Sequence, residues 1–412
     1  MAGLPKIRID RERLWDSLMS MAEIGPGIEG GSCRLALTDE DRNGRNLFVK
    51  WCRDAGCSIA LDDMGNIFAQ RAGRNNALAP IVAGSHLDTQ PHGGKFDGVY
   101  GVLAALEVIR TMNDFDVQTE APIEVVVWTN EEGSRFAPAM ISSGVYAGLF
   151  DKQYAWSRTD NEGITLVDEL KRIEYFGDQP CGAHTIGVLL EAHIEQGPIL
   201  ENNRNQIGVV IGGQGQRWFD VTIKGQDSHA GSTPMPGRRD ALVASAEIIT
   251  MIHKLAHDHA PHGVATVGEM IIKPNSRNTI PGEVYFSVDM RNPDDAVLKI
   301  MAETFRQNSE DCAARHRVAL EIDEIWHNPP VKFDQKCIEA VSNAASELNY
   351  SHQQIVSGAG HDACQICRVA PTSMIFVPCA GGLSHNEQES AKPEDLEAGC
   401  NVLLQAMIKL AS

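Results

Sequence analysis

The chain has 412 residues, which exceeds the usual size of a single hydrophobic core and predicts two domains. Hydrophobic residues make up 43% and charged residues 22%, which excludes the disordered and fibrous classes. Lys and Arg number 36 against 55 Asp and Glu, and the resulting net charge of -19 disfavours nucleic acid and anionic membrane surfaces as partners.

The beginning of the chain and its cysteines suggest a compartment. The opening MAGLPKIRIDRERLW lacks the apolar run of a secretory signal, and no stretch of about 20 apolar residues could span a bilayer. The ten cysteines show no disulfide-framework spacing. We therefore expect a cytoplasmic protein in a reducing environment. The C-x-x-C pair Cys364 and Cys367 is isolated and is interpreted as two ordinary thiols.

The first half of the chain alternates between helices and strands. Apolar residues at three- and four-residue spacing predict helices over 10–24 and 39–55. The next predicted elements are a strand at 80–86, a helix at 101–112, a strand at 121–129, a helical stretch at 133–150 and a strand at 187–195. Such alternation predicts a mainly parallel sheet covered by helices.

The pattern changes at the glycine-rich segment 212–215, which is a candidate hinge, and again at 327–331, where paired prolines break regular structure. Between them we predict strands at 218–225, 267–276, 282–291 and 317–326, with helices at 238–258 and 294–316. Afterwards come a helix at 334–349, a strand at 371–379 and a helix at 393–411.

This order predicts an α/β fold class with two domains. The first is a discontinuous, mixed-sheet domain with helices on both faces, formed by residues 1–213 and 329–412. The second, residues 214–328, is an inserted α+β domain with an antiparallel sheet and two helices.

Metal-type side chains recur at the ends of the predicted strands, where open α/β sheets bind their ligands. They are His86 and Asp88 with Asp97, Glu131 with Glu132, Glu191 with His193 and Glu195, and His385. Polar groups beside buried strands are costly unless they are paired or bind metal, so the recurrence predicts a metal site. Imidazole and carboxylate ligands suit zinc, manganese, cobalt or nickel better than calcium or an iron–sulfur cluster.

These residue types also suggest separate tasks. Asp97 could bridge two cations, and Asp88 could orient His86 from behind. Of the adjacent Glu131 and Glu132, one could bind metal while the other takes a proton from water. The alternative for this acidic pair is a solvated helix start.

Seven motifs resemble one enzyme family. They are GSHLDTQPHGGKFDG, TNEEGSRF, EAHIEQG, DSHAGSTPM, MRNP, GAGHDA and GLSHNEQE, in this order. Together they resemble the M20-type binuclear metallohydrolases, in the amidohydrolase branch of N-carbamoyl-L-amino-acid hydrolases, β-ureidopropionases and allantoate amidohydrolases. The peptidase members usually carry an acidic residue where this chain has His193, so EAHIEQG favours the amidohydrolase branch.

The resemblance implies two divalent metal ions per subunit. Asp97 would bridge them, His86 and His193 would hold one ion, and Glu132 and His385 would hold the other. Zinc is the first expectation, with manganese, cobalt or nickel as alternatives, because the ligand set alone does not select one metal.

The resemblance also implies catalytic and substrate-binding residues. Asp88 would orient the metal-binding histidine, Glu131 would be the general base, and His229 would polarise the scissile carbonyl of a neighbouring subunit. Arg291 would grip the substrate carboxylate with its planar guanidinium. The further substrate-binding positions are Gln196, Arg217, Asn278, Gly360 and His361.

Structural alternatives remain for several of these residues. Arg291 could instead pair with Asp289 or Asp294, Arg217 could be a surface residue, and His361 with Asp362 could form a structural pair. His92 is interpreted as a loop residue, and the histidines at 253, 257, 259 and 262 as solvated surface.

The implied reaction is metal-dependent hydrolysis of the carbamoyl C–N bond of an N-carbamoyl-L-amino acid or of N-carbamoyl-β-alanine, giving the amino acid, ammonia and carbon dioxide. Allantoate hydrolysis is the main alternative, and an M20 peptidase, an aminoacylase or a non-catalytic dimeric scaffold are distant ones. The implied partners are a small anionic ureido substrate and a second copy of the chain, bound through an insert that also acts as a lid. The segment TQPHGGK favours the carbamoylases and ureidopropionases over allantoate amidohydrolases.

Overall fold

The computed structural model describes residues 7–412; residues 1–6, on which part of the export-signal prediction rests, lie outside the described residues. The helices are α1 (Arg11–Ala22), α2 (Asp39–Asp54), α3 (Val99–Asp114), α4 (Ile141–Tyr146), α5 (Lys152–Trp156), α6 (Leu166–Arg172), α7 (Ile199–Asn203), α8 (Ala241–Asp258), α9 (Asp295–His316), α10 (Gln335–Glu347), α11 (Asp362–Ile366) and α12 (Pro393–Leu410). The strands are β1 (Ser58–Leu61), β2 (Ile67–Arg71), β3 (Ile81–His86), β4 (Ile123–Trp128), β5 (Val188–Ile194), β6 (Ile207–Gly213), β7 (Gly215–Lys224), β8 (Ser228–His229), β9 (Val264–Thr266), β10 (Met270–Lys273), β11 (Thr279–Ile280), β12 (Glu283–Asn292), β13 (Ala319–Asn328), β14 (Val331–Lys332), β15 (His352–Ser357) and β16 (Thr372–Val377). Within residues 7–412, no helix combines the length and apolar character needed to cross a membrane.

The chain divides into two compact units. One runs to Gly212 and resumes at Lys332–Ser412, and the other is Gly213–Val331. The predicted insert, residues 214–328, falls inside the second unit. Its roles as lid and dimerisation domain stay predictions.

The first unit is built on a nine-stranded mixed sheet. The strand order is β1-β2-β4-β3-β5-β16-β6-β14, with β15 also beside β6. The four neighbours β4, β3, β5 and β16 run parallel, whereas β1, β2 and β6 pair antiparallel with their partners. Helices α3 and α12 pack against this sheet. The predicted α/β class with a mixed sheet is confirmed, and its parallel part is the central four strands.

The parallel strands bring four stretches of polar sequence to one edge. Every residue of β3, β4 and β16 is buried, as expected for apolar strands covered on both faces. Because β3, β4, β5 and β16 are parallel, their carboxyl ends and the loops that follow lie at the same edge. This edge receives His86, the segment 129–132, His193 and the loop after Val377.

One predicted helix is mostly absent. Helix α4 covers only the second half of the predicted stretch 133–150, and residues 131–140 form a loop. Asn130, immediately before this loop, has a positive φ, and its side-chain amide donates to the main-chain oxygen of Phe136 at 2.7 Å. Glycine and proline in this segment, with Asn130 before it, favour turns over helix.

The second unit carries an antiparallel sheet of order β10-β12-β7-β13, with β9 also pairing with β12. Burial alternates strictly along β12, so one face of the sheet is packed and the other is open. Helices α8 and α9 cover the packed face around Phe219, Phe286 and Phe305. The predicted α+β insert with two helices is therefore confirmed.

A buried ion pair within helix α2 includes an arginine that also bonds to the segments beside the sheet. Arg45 and Asp41 are both fully buried, with Nε and Oδ2 2.8 Å apart. Arg45 also donates to the main-chain oxygen of Gly65 at 2.8 Å and to Thr129 Oγ1 at 3.2 Å. Thr129 immediately precedes the loop of Glu131, so this pair links the core to the candidate site.

We expect Arg45→Met to lower the free energy of unfolding by about 3–5 kcal/mol, because it leaves the buried Asp41 carboxylate without its partner. The matched control is Arg74→Met, which removes the exposed pair of Arg74 with Glu120 and should cost less than about 1 kcal/mol. Chemical denaturation measures both. Equal losses in the two variants would contradict this account.

Candidate metal centre

The carboxylate of Asp97 lies at the centre of the predicted ligands. Its Oδ1 is 3.2 Å from His193 Nε2 and 3.9 Å from His86 Nε2. Its Oδ2 is 3.3 Å from His385 Nε2, which also lies 3.4 Å from Glu132 Oε2. Each oxygen of one buried carboxylate therefore faces a different set of side chains.

These five residues form two groups with metal-ligand geometry. One consists of His86, Asp97 and His193, and the other of Asp97, Glu132 and His385; within each, the ligand atoms lie within 4.8 Å of one another. The groups share Asp97, which is the arrangement that the resemblance implies. The first group is buried, whereas the His385 side chain is 51% exposed and leaves the second group accessible.

Main-chain oxygens set the tautomers of the two buried histidines. His86 Nδ1 lies 2.8 Å from the main-chain oxygen of Asp88, and His193 Nδ1 lies 2.9 Å from that of Ile194. A carbonyl oxygen only accepts hydrogen bonds, so each Nδ1 carries a proton in these contacts. This arrangement directs both Nε2 atoms toward Asp97.

Asp88 contributes to the site through its carbonyl oxygen as well as through its carboxylate. Its carbonyl oxygen contacts His86, as just described, while its carboxylate accepts hydrogen bonds from the main-chain N–H groups of Glu131 and Glu132 at 3.3 and 3.2 Å. Asp88 therefore positions the two glutamates as well as the histidine.

The two glutamates occupy different surroundings. Glu131 Oε2 lies 3.5 Å from His86 Nε2, whereas Glu132 Oε2 accepts a 2.7 Å hydrogen bond from Gln90. Burial, followed by the charges of Asp362 and Glu132, raises the pKa of Glu131 well above its ordinary value. Burial and the charge of Asp97 raise the pKa of Glu132 to about 8. The solvated helix start that was the alternative for this pair does not fit such burial.

The charge balance of the site fits bound cations. Among the described residues, Asp97, Glu131 and Glu132 form ion pairs only with histidines. Hydrogen bonds and charge from Asp97 raise the pKa of His193 and of His385 to about 9, against burial. Buried carboxylates and imidazoles that face one another are a donor set for divalent cations.

A third glutamate, Glu389, holds the loop that carries Asp97. Its Oε1 accepts hydrogen bonds from the main-chain N–H groups of Phe96 and Asp97 at 3.0 and 3.2 Å. Its Oε2 accepts from Ser384 Oγ at 2.8 Å, although Ser384 also lies 2.9 Å from Asp97 Oδ2. A side chain at Gly94 would place its Cβ 2.0 Å from the Glu389 carboxylate, so the approach requires glycine there.

The roles of Glu389 and Ser384 are not predicted from the sequence, although both lie in the motif GLSHNEQE. Neither is a metal-type residue at a strand end, and only the folded loop shows their contacts. Gly98 has a comparable role, because its Cβ would come within 2.3 Å of the His86 ring and its φ is +66°. The glycines of the motif thus allow the close packing of loop and ligands.

Three predicted substrate-binding residues lie beside the centre. Gln196 Nε2 donates to Asp97 Oδ2 at 2.9 Å, so its amide supports the bridging carboxylate directly. The buried His361 ring lies 4.5 Å from the His193 ring, centroid to centroid, and its Nε2 has no hydrogen-bond partner among the described residues. Gly360 precedes it and is exposed. The neighbouring Asp362 accepts from Ser143 Oγ and not from His361, so the structural pair considered for these two residues is not observed among the described contacts.

In the second unit, His229 and Asn278 are brought together. His229 pairs with Thr279 across β8 and β11, and the N–H of Ala230 donates to the main-chain oxygen of Asn278 at 2.9 Å. His229 Nδ1 accepts two main-chain N–H groups at 3.1 Å, which leaves the proton on Nε2 of this exposed ring.

Arg217 and Arg291 are not brought together. Arg217 lies opposite Met290, a core residue on the helix-covered face, whereas Arg291 lies opposite Gln216 on the open face. Arg217 pairs with Glu324 at 2.9 Å, and Arg291 pairs with Asp289 at 2.8 Å. The alternative for Arg291, a pair with Asp289, is therefore realised in this structure. The surface position considered for Arg217 is not, because its side chain is only 14% exposed. The roles of both arginines toward substrate stay predictions.

Other polar residues at the strand ends have local partners. Glu191 accepts from Ser85 Oγ and from the N–H of Ala363, and Glu195 accepts from the first N–H groups of α7. His92 lies on the surface and pairs with Glu387 at 3.0 Å, as expected of a loop residue.

Comparison with known proteins identifies the family. Residues 82–409 match peptidase family M20/M25/M40. The chain belongs to this family. It is 50% identical over 404 residues to an N-carbamoyl-L-amino-acid amidohydrolase of Rhizobium meliloti, covering 98% of this chain and 97% of the relative. A more distant M20 relative, an allantoate amidohydrolase of Bacillus subtilis, is 34% identical and covers 97% and 98%.

A solved structure shares the whole fold. A hydantoinase/carbamoylase family amidase from Burkholderia multivorans superposes with a TM-score of 0.96 at 56% identity, covering 99% of both chains. M20 enzymes are metal-dependent, and the two groups around Asp97 are candidate ligands of that metal in this chain. The predicted membership of the M20-type family, in its amidohydrolase branch, is confirmed.

We expect Glu389→Ala to weaken divalent metal binding by about 10- to 100-fold, because the loop that presents Asp97 loses two hydrogen bonds and Ser384, beside His385, loses a third. Glu389→Gln is the matched control, since its amide oxygen can still accept from Phe96 and Asp97. Chelator competition measures the affinity, and circular dichroism checks the fold. An alanine variant that binds metal as tightly as the parent would contradict the role of Glu389.

Proposed function

We propose that this chain hydrolyses the carbamoyl C–N bond of N-carbamoyl-L-amino acids, giving the amino acid, ammonia and carbon dioxide. The observation that carries the proposal is the pair of ligand groups joined by Asp97, with the buried Glu131 beside them. The 50%-identical relative bears the name of this activity, and the coverage of both chains is nearly complete.

The donor set fits two divalent ions per chain, and zinc is the first candidate. His86 and His193 would hold one ion, Glu132 and His385 the other, and Asp97 would bridge them. When bound, the ions supply Lewis-acid activation of water and stabilisation of negative charge.

The proton transfers fall to Glu131. Its carboxylate accepts a proton from the attacking water as the new C–O bond forms at the carbamoyl carbon. It then donates that proton to the departing nitrogen as the first C–N bond breaks. The carbamic acid that remains loses carbon dioxide as its own C–N bond breaks and its acid proton passes to that nitrogen, so one water in all yields the amino acid, ammonia and carbon dioxide. Burial keeps its pKa above that of an ordinary carboxylate, which makes it a stronger base and suits both steps. Asp88 fixes its main chain, and Gln90 keeps the neighbouring Glu132 in its own orientation.

The second unit would supply the remaining polar groups. His229 carries its proton on Nε2 and is exposed, so it can donate a hydrogen bond to the carbamoyl oxygen of a substrate bound by a partner subunit. Arg291 would bind the substrate carboxylate, which would replace or share its present contact with Asp289. A homodimer through this unit, its closure as a lid and a cytoplasmic location belong to the proposal as expectations of the resemblance.

The substrate class includes three candidates. N-carbamoyl-β-alanine carries the same ureido and carboxylate groups, and allantoate is the substrate named for the 34%-identical relative. The segment TQPHGGK, which favoured carbamoylases, contacts the metal centre through Gln90, which donates to Glu132. His92 of the same segment lies at the surface. We therefore rest the preference for N-carbamoyl-L-amino acids on the closer relative.

Metal-loaded protein should release ammonia from N-carbamoyl-L-methionine faster than from N-carbamoyl-β-alanine or allantoate, and a chelated sample should release none. Ammonia release in a coupled assay measures all three. Faster release from allantoate would assign the alternative activity, and no release from any of them would contradict the proposed function.

Glu131→Gln should lower turnover by about 10²- to 10⁴-fold while the metal content stays unchanged, because the amide cannot accept the proton. The matched control is Glu132→Gln, which is expected to lower the metal content itself. Turnover and metal analysis are measured on the same samples. Near-parental turnover in Glu131→Gln would contradict its assignment as the base.

A further inference from the structure

Helices α8 and α9 of the second unit carry a group of residues that the proposed function does not use. Cys312 and His316 lie four residues apart on α9, so their side chains share one face of the helix. Glu247 of α8 faces them. The ligand atoms of these three residues lie within 4.8 Å of one another.

The contacts of the group bring its donor atoms close together. His316 Nε2 lies 2.8 Å from Glu247 Oε2, and Arg315 pairs with the other oxygen, Oε1, of the same carboxylate. The Cys312 thiol points at α8, where it donates to the main-chain oxygen of Ala244 at 3.7 Å, nearly one turn before Glu247. Arg315 therefore holds Glu247 while leaving Oε2 turned toward the histidine.

Burial is graded across the group. Cys312 is 2% exposed, whereas the side chain of His316 is 25% exposed and that of Glu247 is 46% exposed. The sulfur thus lies at the bottom and the carboxylate at the rim. An ion could enter from solvent, and water could complete its coordination. This gradation distinguishes the group from an exposed cluster of charges.

The chemistry of the three donors selects a class of ion. One thiolate, one imidazole and one carboxylate suit tetrahedral zinc-class cations, whereas calcium and magnesium require oxygen ligands. We propose that Cys312, His316 and Glu247 bind one divalent cation of the zinc class and thereby join the end of α9 to α8. The Cys312 S–H proton is released to solvent as the metal–sulfur bond forms, so each bound ion displaces one proton from the sulfur.

The site is distinct from the candidate metal centre in its donors. The five predicted ligands there are His86, Asp97, Glu132, His193 and His385, without a cysteine. On α8 the exposed His253 and His257 also face each other, with Nε2 atoms 3.2 Å apart. That pair offers imidazole alone. A metal–thiolate signal therefore reports on Cys312 and on neither of the other two.

The test is a titration of the full chain with Co²⁺, followed by its thiolate-to-metal charge-transfer absorption. We expect this band in the parent, its loss in Cys312→Ala, and at least about tenfold weaker binding in His316→Ala, since a lost ligand should cost no less than a lost outer partner. His316→Ala alters only a partly exposed side chain, so it still tests the proposal if the cysteine variant misfolds. His257→Ala is the matched control and should leave the band unchanged.

Absence of the band in the parent, its persistence in Cys312→Ala, or equal binding in His316→Ala would each overturn the proposal. The inference does not rest on the proposed function. Carbamoyl hydrolysis can fail while the thiolate band appears, and the reverse outcome is equally distinguishable.

Discussion

The candidate centre depends on one buried carboxylate that serves two sets of side chains. Asp97 presents Oδ1 to two histidines delivered by β3 and β5, and Oδ2 to His385 on the loop after β16. These strands are parallel, so three segments distant in sequence meet at one edge of the sheet. Any displacement of the Asp97 carboxylate would therefore change the ligand distances in both groups.

Keeping this carboxylate in place requires several polar groups that do not bind metal themselves. Glu389 fixes the main chain of Asp97, and Gln196 donates to the Oδ2 of Asp97. Ser384 lies between the carboxylates of Asp97 and Glu389, and the carboxylate of Asp88 holds the loop of the two glutamates. Burial raises the pKa of Glu131, Glu132 and Glu389, which shows how strongly the site disfavours uncompensated negative charge. Divalent cations would compensate it, and the folded chain prepares their surroundings in advance.

Much of this arrangement could be predicted from the order of residue types along the chain. Apolar runs that end in His86, Glu131 and His193 indicate strands whose carboxyl ends share an edge, because parallel sheets place them so. The antiparallel insert followed from alternating strands and two long helices. What the sequence concealed depends on atoms and faces: that His86 contacts a carbonyl oxygen of Asp88, and that Arg217 and Arg291 lie on opposite sides of one sheet. Strand register decides the second point, and a single sequence does not reveal register.

The most direct test of the shared carboxylate is the number of ions bound per chain. It is best measured by elemental analysis after dialysis against dilute zinc, in a Cys312→Ala background that excludes the inferred second site. We predict two ions in the parent, one in His385→Ala, and none in Asp97→Ala, because only Asp97 belongs to both groups. An Asp97→Ala chain that keeps either ion would contradict the account.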